Sequence, residues 1–116
     1  MRRDLLRLAD LVEAGQAIVR AVEGVSYQEF DRDEELRDAV LWRFTKLGEA
    51  ASQLSDALRG RHPDVNWRDP IAFRNRIVHG YFDVDDQLVF DAAKRDVPGL
   101  VADVKQVLKA EFPGFG

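Results

Sequence analysis

The chain has no cysteine and only two histidines among its 116 residues. Without cysteine there is no disulfide framework and no thiolate chemistry. Two histidines leave too few ligands for a zinc site. No unbroken apolar stretch is long enough for a signal-peptide core or a membrane span. These absences fit a cytoplasmic protein, in a compartment that keeps thiols reduced. There is no glycine-rich phosphate loop and no Ser-His-Asp pattern. Asp83, Asp85 and Asp86 lack the central glycine and distal glutamate of a calcium loop, and read instead as caps of a following helix. Sustained period-two alternation is missing, which excludes a sheet of ordinary pattern.

What remains is one domain's worth of chain, residues 1–112, with 113–116 as a frayed tail. The net charge of −4 argues against general affinity for nucleic acid. Charge is nevertheless uneven. Arg59, Arg61, Arg68, Arg74 and Arg76 stand against Asp64 and Asp69 in one stretch. A local basic patch can hold a phosphate backbone because distant charges are screened.

Apolar spacing is helical throughout. Leu5, Leu8, Leu11, Val12, Ile18 and Val22 mark a helix over residues 4–22, ended by Gly24. Ser26 and Glu29 have capping-box spacing for a one-turn helix through Phe30. Leu36, Val40, Phe44, Leu47, Ala51, Leu54 and Leu58 form a seam that predicts one long helix over residues 33–59. Gly48, Ala50, Ala51 and Ser52 keep its middle slim. Trp42 lies off the seam, as expected for a multi-helix core or a dimer. Residues 60–64 read as a loop, with His62 exposed in it. A helix over residues 67–79 follows, capped by Asp69 or a neighbour and stopped by Gly80 in a left-handed conformation. Residues 86–95 and 96–111 make the last two helices, with Asp96 as the final N-cap. The fold class is all-α, an up-and-down bundle of four to five helices.

The chemistry concentrates in Arg74-Asn75-Arg76-Ile77-Val78-His79-Gly80-Tyr81. On a wheel of about 100° per residue, Arg74 falls on the apolar side and Arg76 toward solvent. An arginine on an apolar face needs a carboxylate or a subunit surface. Asn75 shares a face with His79 and is placed to hydrogen-bond the imidazole. Arg74 and His79 stand about 140° apart, too far to meet over one point of one helix. Two copies about a two-fold axis would bring the Arg of one and the His of the other into a shared cleft.

Imidazole and guanidinium without metal suit one reaction well. A base removes the proton of an RNA 2′-hydroxyl, which then attacks its own phosphodiester. Guanidinium stabilises the charge that builds on phosphorus oxygens.

The octet resembles the R-x-x-x-x-H-x-Y signature of HepT-like toxins in the HEPN superfamily. Its flanks, Trp67-Arg68-Asp69-Pro70-Ile71-Ala72-Phe73 and Phe82-Asp83-Val84-Asp85, are similar to those of that family. So are Lys46-Leu47-Gly48-Glu49-Ala50-Ala51 and Asp96-Val97-Pro98-Gly99-Leu100. The resemblance implies a helical bundle that dimerises around a shared Arg-His cleft, and a metal-independent endoribonuclease acting as the toxin of a toxin-antitoxin pair. It implies a partner, an MntA-type minimal nucleotidyltransferase, that neutralises the toxin by moving AMP from ATP onto tyrosine. Carried over by position, Arg74 and His79 are catalytic, Asn75 is the polar support and Tyr81 is the AMPylation target. The toxin itself then needs no cofactor, ATP being used by the partner. The competing reading is a non-catalytic helical module bound to a nucleotidyltransferase that carries the activity.

Overall fold

The computed structural model describes residues 2–115, and every regular element among them is helical. Helix α1 (Arg2–Val22) buries Leu8, Leu11, Ile18 and Val22 on one face, as the spacing predicts. It stops at Gly24, whose φ of 70° belongs to the left-handed region. Helix α2 (Tyr27–Arg32) opens on the expected capping box, in which Ser26 Oγ accepts from the Glu29 N–H and the Glu29 carboxylate accepts from the Ser26 N–H. Phe30 carries this short helix into the core.

The long seam is interrupted. Helix α3 (Glu34–Ser52) ends, and a separate helix α4 (Asp56–Arg61) begins after residues 53–55. The reason lies in α1. Asp4 is buried at 5% exposure and needs donors. Extended Ser55 supplies two, its N–H at 2.9 Å and its hydroxyl at 2.7 Å. The same Ser55 oxygen accepts from the Leu58 N–H and caps α4. Leu54 and Leu58 stay buried on either side of the break, so the apolar period survives while the backbone does not. The loop expected over residues 60–64 is correspondingly shorter, since Gly60 and Arg61 are helical.

Helix α5 (Arg68–His79) has Pro70 in its first turn and takes its side-chain cap from Asn66, whose Oδ1 accepts from the Asp69 N–H at 3.0 Å. Gly80 follows at φ −149° and ψ 47°, not in the left-handed conformation expected. Its N–H instead extends the helix ladder to the Arg76 carbonyl at 3.0 Å. A 3₁₀ turn (Tyr81–Asp83) leads to helix α6 (Asp86–Asp91), capped by Asp85. A π-turn (Ala92–Asp96) then runs directly into helix α7 (Val97–Glu111). Asp96 has helical dihedrals and makes no side-chain cap, which corrects the expected helix start. The wider turn absorbs the junction without breaking the helix.

The long helices α1, α3, α5 and α7 form the bundle. Helix α1 packs on α3 and α7, and α3 carries α5. Two glycines set these spacings. A Cβ on Gly15 would run into Val101 of α7. One on Gly48 would run into the Arg74 stem and stand 2.5 Å from the Pro70 carbonyl oxygen. Gly48 therefore lets α5 lie directly on α3. Phe44 and Phe73 lock the same contact edge to face, 4.7 Å between centroids.

Candidate active site

Three successive residues of α5 face three different concavities, as about 100° per residue requires. Arg74 enters a groove of about 580 Å³ walled by α1 and α3. Asn75 faces a shelf beside Arg59, Trp67 and Arg68. Arg76 borders a depression shared with Leu100 and Asp103 of α7. Arg74 alone is half-buried, while Asn75, Arg76 and His79 are exposed.

The Arg74 stem crosses α3 at Gly48, and its Nη1 lies 3.6 Å from Glu49 Oε2. That is an ion pair, but too long for a hydrogen bond. The Arg74 Nε is buried and has no hydrogen-bond partner among the described residues. The wheel expectation of a carboxylate for Arg74 is thus met only loosely.

His79 occupies the last turn of α5. No hydrogen bond joins it to Asn75 among the described residues. Within one chain Arg74 and His79 lie on separate faces with Val78 between them. Val78 is 55% exposed and Trp42, across the groove on α3, is 62% exposed. Tyr81 and Phe82, in the turn after α5, are exposed as well, Phe82 at 97%. Trp42 and Phe82 are thus surface aromatics outside the core.

Tyr81 donates its hydroxyl to Asp38 Oδ1 at 2.6 Å. This bond, then burial, then the Asp38 and Glu34 charges raise its pKa. The ring stays a phenol at neutral pH, with its edge toward Phe82. Asp38 lies 43 residues away in sequence, and no local pattern pairs it with Tyr81.

His62 is not the exposed loop residue expected from the sequence. Its Nε2 lies 2.6 Å from Glu111 Oε2, and Arg61 holds the same carboxylate through two nitrogens at 2.7 and 3.1 Å. The Arg61 and His62 bonds pull the Glu111 carboxyl down to about 2. His62 is a clasp between α4 and α7. The basic stretch is likewise partly spent within the fold, since Arg59 pairs with Asp56 and Arg61 with Glu111. Among the described residues Arg68 and Arg76 have no acidic partner.

The sequence profile of the ribonuclease HepT-like family matches residues 11–107. The chain belongs to that family. It is 29% identical over 100 residues to "Putative RNase MJ1380" of Methanocaldococcus jannaschii, covering 86% of this chain and 92% of that protein. It is 26% identical over 102 residues to "Probable ribonuclease HepT" of Thermococcus cleftensis, covering 88% and 93%. "Putative RNase TTE0752" of Caldanaerobacter subterraneus subsp. tengcongensis is 26% identical over 104 residues, covering 90% and 93%. No solved structure matches the chain. As in the sequence reading, no helix among the described residues is long and apolar enough to cross a membrane.

Proposed function

We propose that this HepT-like protein is the toxin of a toxin-antitoxin pair, a metal-independent endoribonuclease that works as a homodimer. The observation that carries this reading is the placement of Arg74 and His79 on either side of exposed Val78. A second copy seated on Val78 and Trp42 buries an apolar surface that the single chain leaves in water. It also sets the Arg74 of one protomer toward the His79 of its partner. The ribonuclease names of the relatives favour RNA as the substrate.

In the reaction, His79 takes the proton of a 2′-hydroxyl. The 2′-oxygen forms a bond to phosphorus, and the bond from phosphorus to the 5′-oxygen breaks. The leaving oxygen is protonated by an imidazolium, most simply that of the second His79 in the cleft. The products are a 2′,3′-cyclic phosphate and a 5′-hydroxyl. Arg74 binds the non-bridging oxygens and stabilises them as charge accumulates. Asn75 lies beside His79 on the exposed face and supports it by position.

Neutralisation acts at Tyr81. A nucleotidyltransferase of MntA type transfers AMP from ATP to the phenol oxygen, whose proton leaves and whose new bond displaces pyrophosphate. The adduct adds phosphate charge and bulk beside the cleft and competes with RNA for Arg74.

The test is cleavage of labelled RNA in EDTA by purified, unmodified protein. The expected result is fragments ending in a 2′,3′-cyclic phosphate, absent with His79→Ala. A folded wild-type dimer that cleaves no cellular RNA would instead support the binding-module reading.

A further inference from the structure

We infer that Glu49 is the resident counter-ion of Arg74 and yields its place to a phosphodiester of the substrate strand. This rests on the reading of Arg74 as the phosphate-binding group, and assigns a role to a neighbour on another helix.

Gly48 fixes the geometry. Because a Cβ there would collide with the Arg74 stem, the guanidinium must cross α3 at this point and emerge beside the next residue, Glu49. The resulting ion pair is incomplete. Its 3.6 Å separation is beyond hydrogen-bond distance, and Arg74 Nε stays buried without an acceptor. A buried donor left unpaired is costly. The Nε–H and one Nη–H lie along one edge of a planar fork that suits two oxygens of a phosphate. Glu49 reaches the guanidinium only at Nη1, off that edge, with one oxygen at long range, so the Nε–H edge itself has no acceptor.

The groove has room and a charge balance for exchange. It measures about 580 Å³ and holds Arg7, Lys46 and Arg74 against Asp10, Glu13 and Glu49. Arg7 is already bound to Asp10 at 3.0 Å and to Gln53 at 2.8 Å. Glu49 is therefore the acid whose departure exposes a positive site. Its side chain is 47% exposed, so it can turn into solvent at little cost.

The test compares wild type, Glu49→Gln, Arg74→Ala and the double variant. One measurement is Kd for a 2′-O-methyl oligonucleotide that cannot be cleaved; the other is KM and kcat on the matching RNA. Glu49→Gln keeps the shape and removes the competing charge. It is expected to tighten Kd by about three- to tenfold. KM falls in step, while kcat changes by a smaller factor. In the Arg74→Ala background the same substitution has no effect on Kd.

An unchanged or weakened Kd in Glu49→Gln overturns the proposal. So does a tightening that persists without Arg74, or an oligonucleotide that neither wild type nor Glu49→Gln binds. Should wild type bind but not cleave, the ribonuclease reading falls alone, because the Kd comparison still decides the role of Glu49.

Discussion

At the scale of single residues, the motif divides its work by side-chain direction. Arg74 is half-buried and anchored by α3, whereas His79 is free in solvent. Arg74→Lys keeps the charge but loses the planar fork. It is expected to lower kcat by about ten- to a hundredfold, in line with loss of one charge-stabilising donor, with the helical circular dichroism unchanged. Tyr81→Phe removes the phenol oxygen and its bond to Asp38. It should still cleave RNA but gain no AMP mass when incubated with ATP and the partner enzyme. An adduct appearing on that variant would place the modification elsewhere. The chemical identity of these positions was legible in the octet itself. Asp38 and Glu49 were not, because their relation to the motif exists only once α3 lies against α5 and its following turn.

At the scale of elements, most local signals stand where the sequence places them, Gly80 and Asp96 excepted, while the distant ones are not legible in it. The capping box at Ser26 and the left-handed Gly24 involve neighbours in sequence, and both stand where expected. The break at residues 53–55 was hidden by an apolar period that continues through it. Its cause, Asp4, lies 51 residues away from Ser55. Asp96 had the composition of a cap, but the π-turn keeps the backbone helical through it. His62 looked like a loop residue because its partner, Glu111, is 49 residues distant.

The α4–α7 clasp gives a prediction with a definite sign. The Glu111 carboxyl is held at about 2 in the folded protein, below its ordinary 4.5. A depressed folded pKa means that its contribution is fully present above about 4.5 and lost as pH falls toward about 2. Urea denaturation should therefore show wild type losing stability across that window. Glu111→Gln should be less stable at pH 7 and flatter through the acid range. Parallel curves for the two proteins would remove the clasp from the account. Gly48→Ala tests the α3–α5 contact in the same assay. Its methyl collides with a helix backbone as well as a side chain, and a loss of about 1–3 kcal/mol is expected.

At the scale of the whole molecule, the all-α bundle follows from periodicity, while the arrangement of its surfaces does not. Trp42 stood off the seam in sequence, but its continuity with Val78 became visible only in the fold. The proposed dimer gives a complementation test. Arg74→Ala and His79→Ala proteins are each expected to be inactive alone. Mixed and allowed to exchange subunits, they form hybrids with one Arg74 and one His79 in the same cleft, and cleavage returns in part, with water in place of the second His79 as proton donor to the leaving oxygen. Adding Trp42→Asp to both should abolish the recovery and leave monomers in sedimentation. Recovery without dimers would contradict the shared cleft.

Near its start the chain is fastened by Asp4 to Ser55, and near its end by Glu111 to Arg61 and His62. Both fastenings lie at the pole from which α5 sets out. Its 12 residues advance about 18 Å before reaching His79. A fluorophore joined at Asp56, whose side chain is 99% exposed at that pole, therefore stands on the side remote from Tyr81. Such a label leaves Tyr81 and Phe82 unobstructed, so the protein can be followed at work.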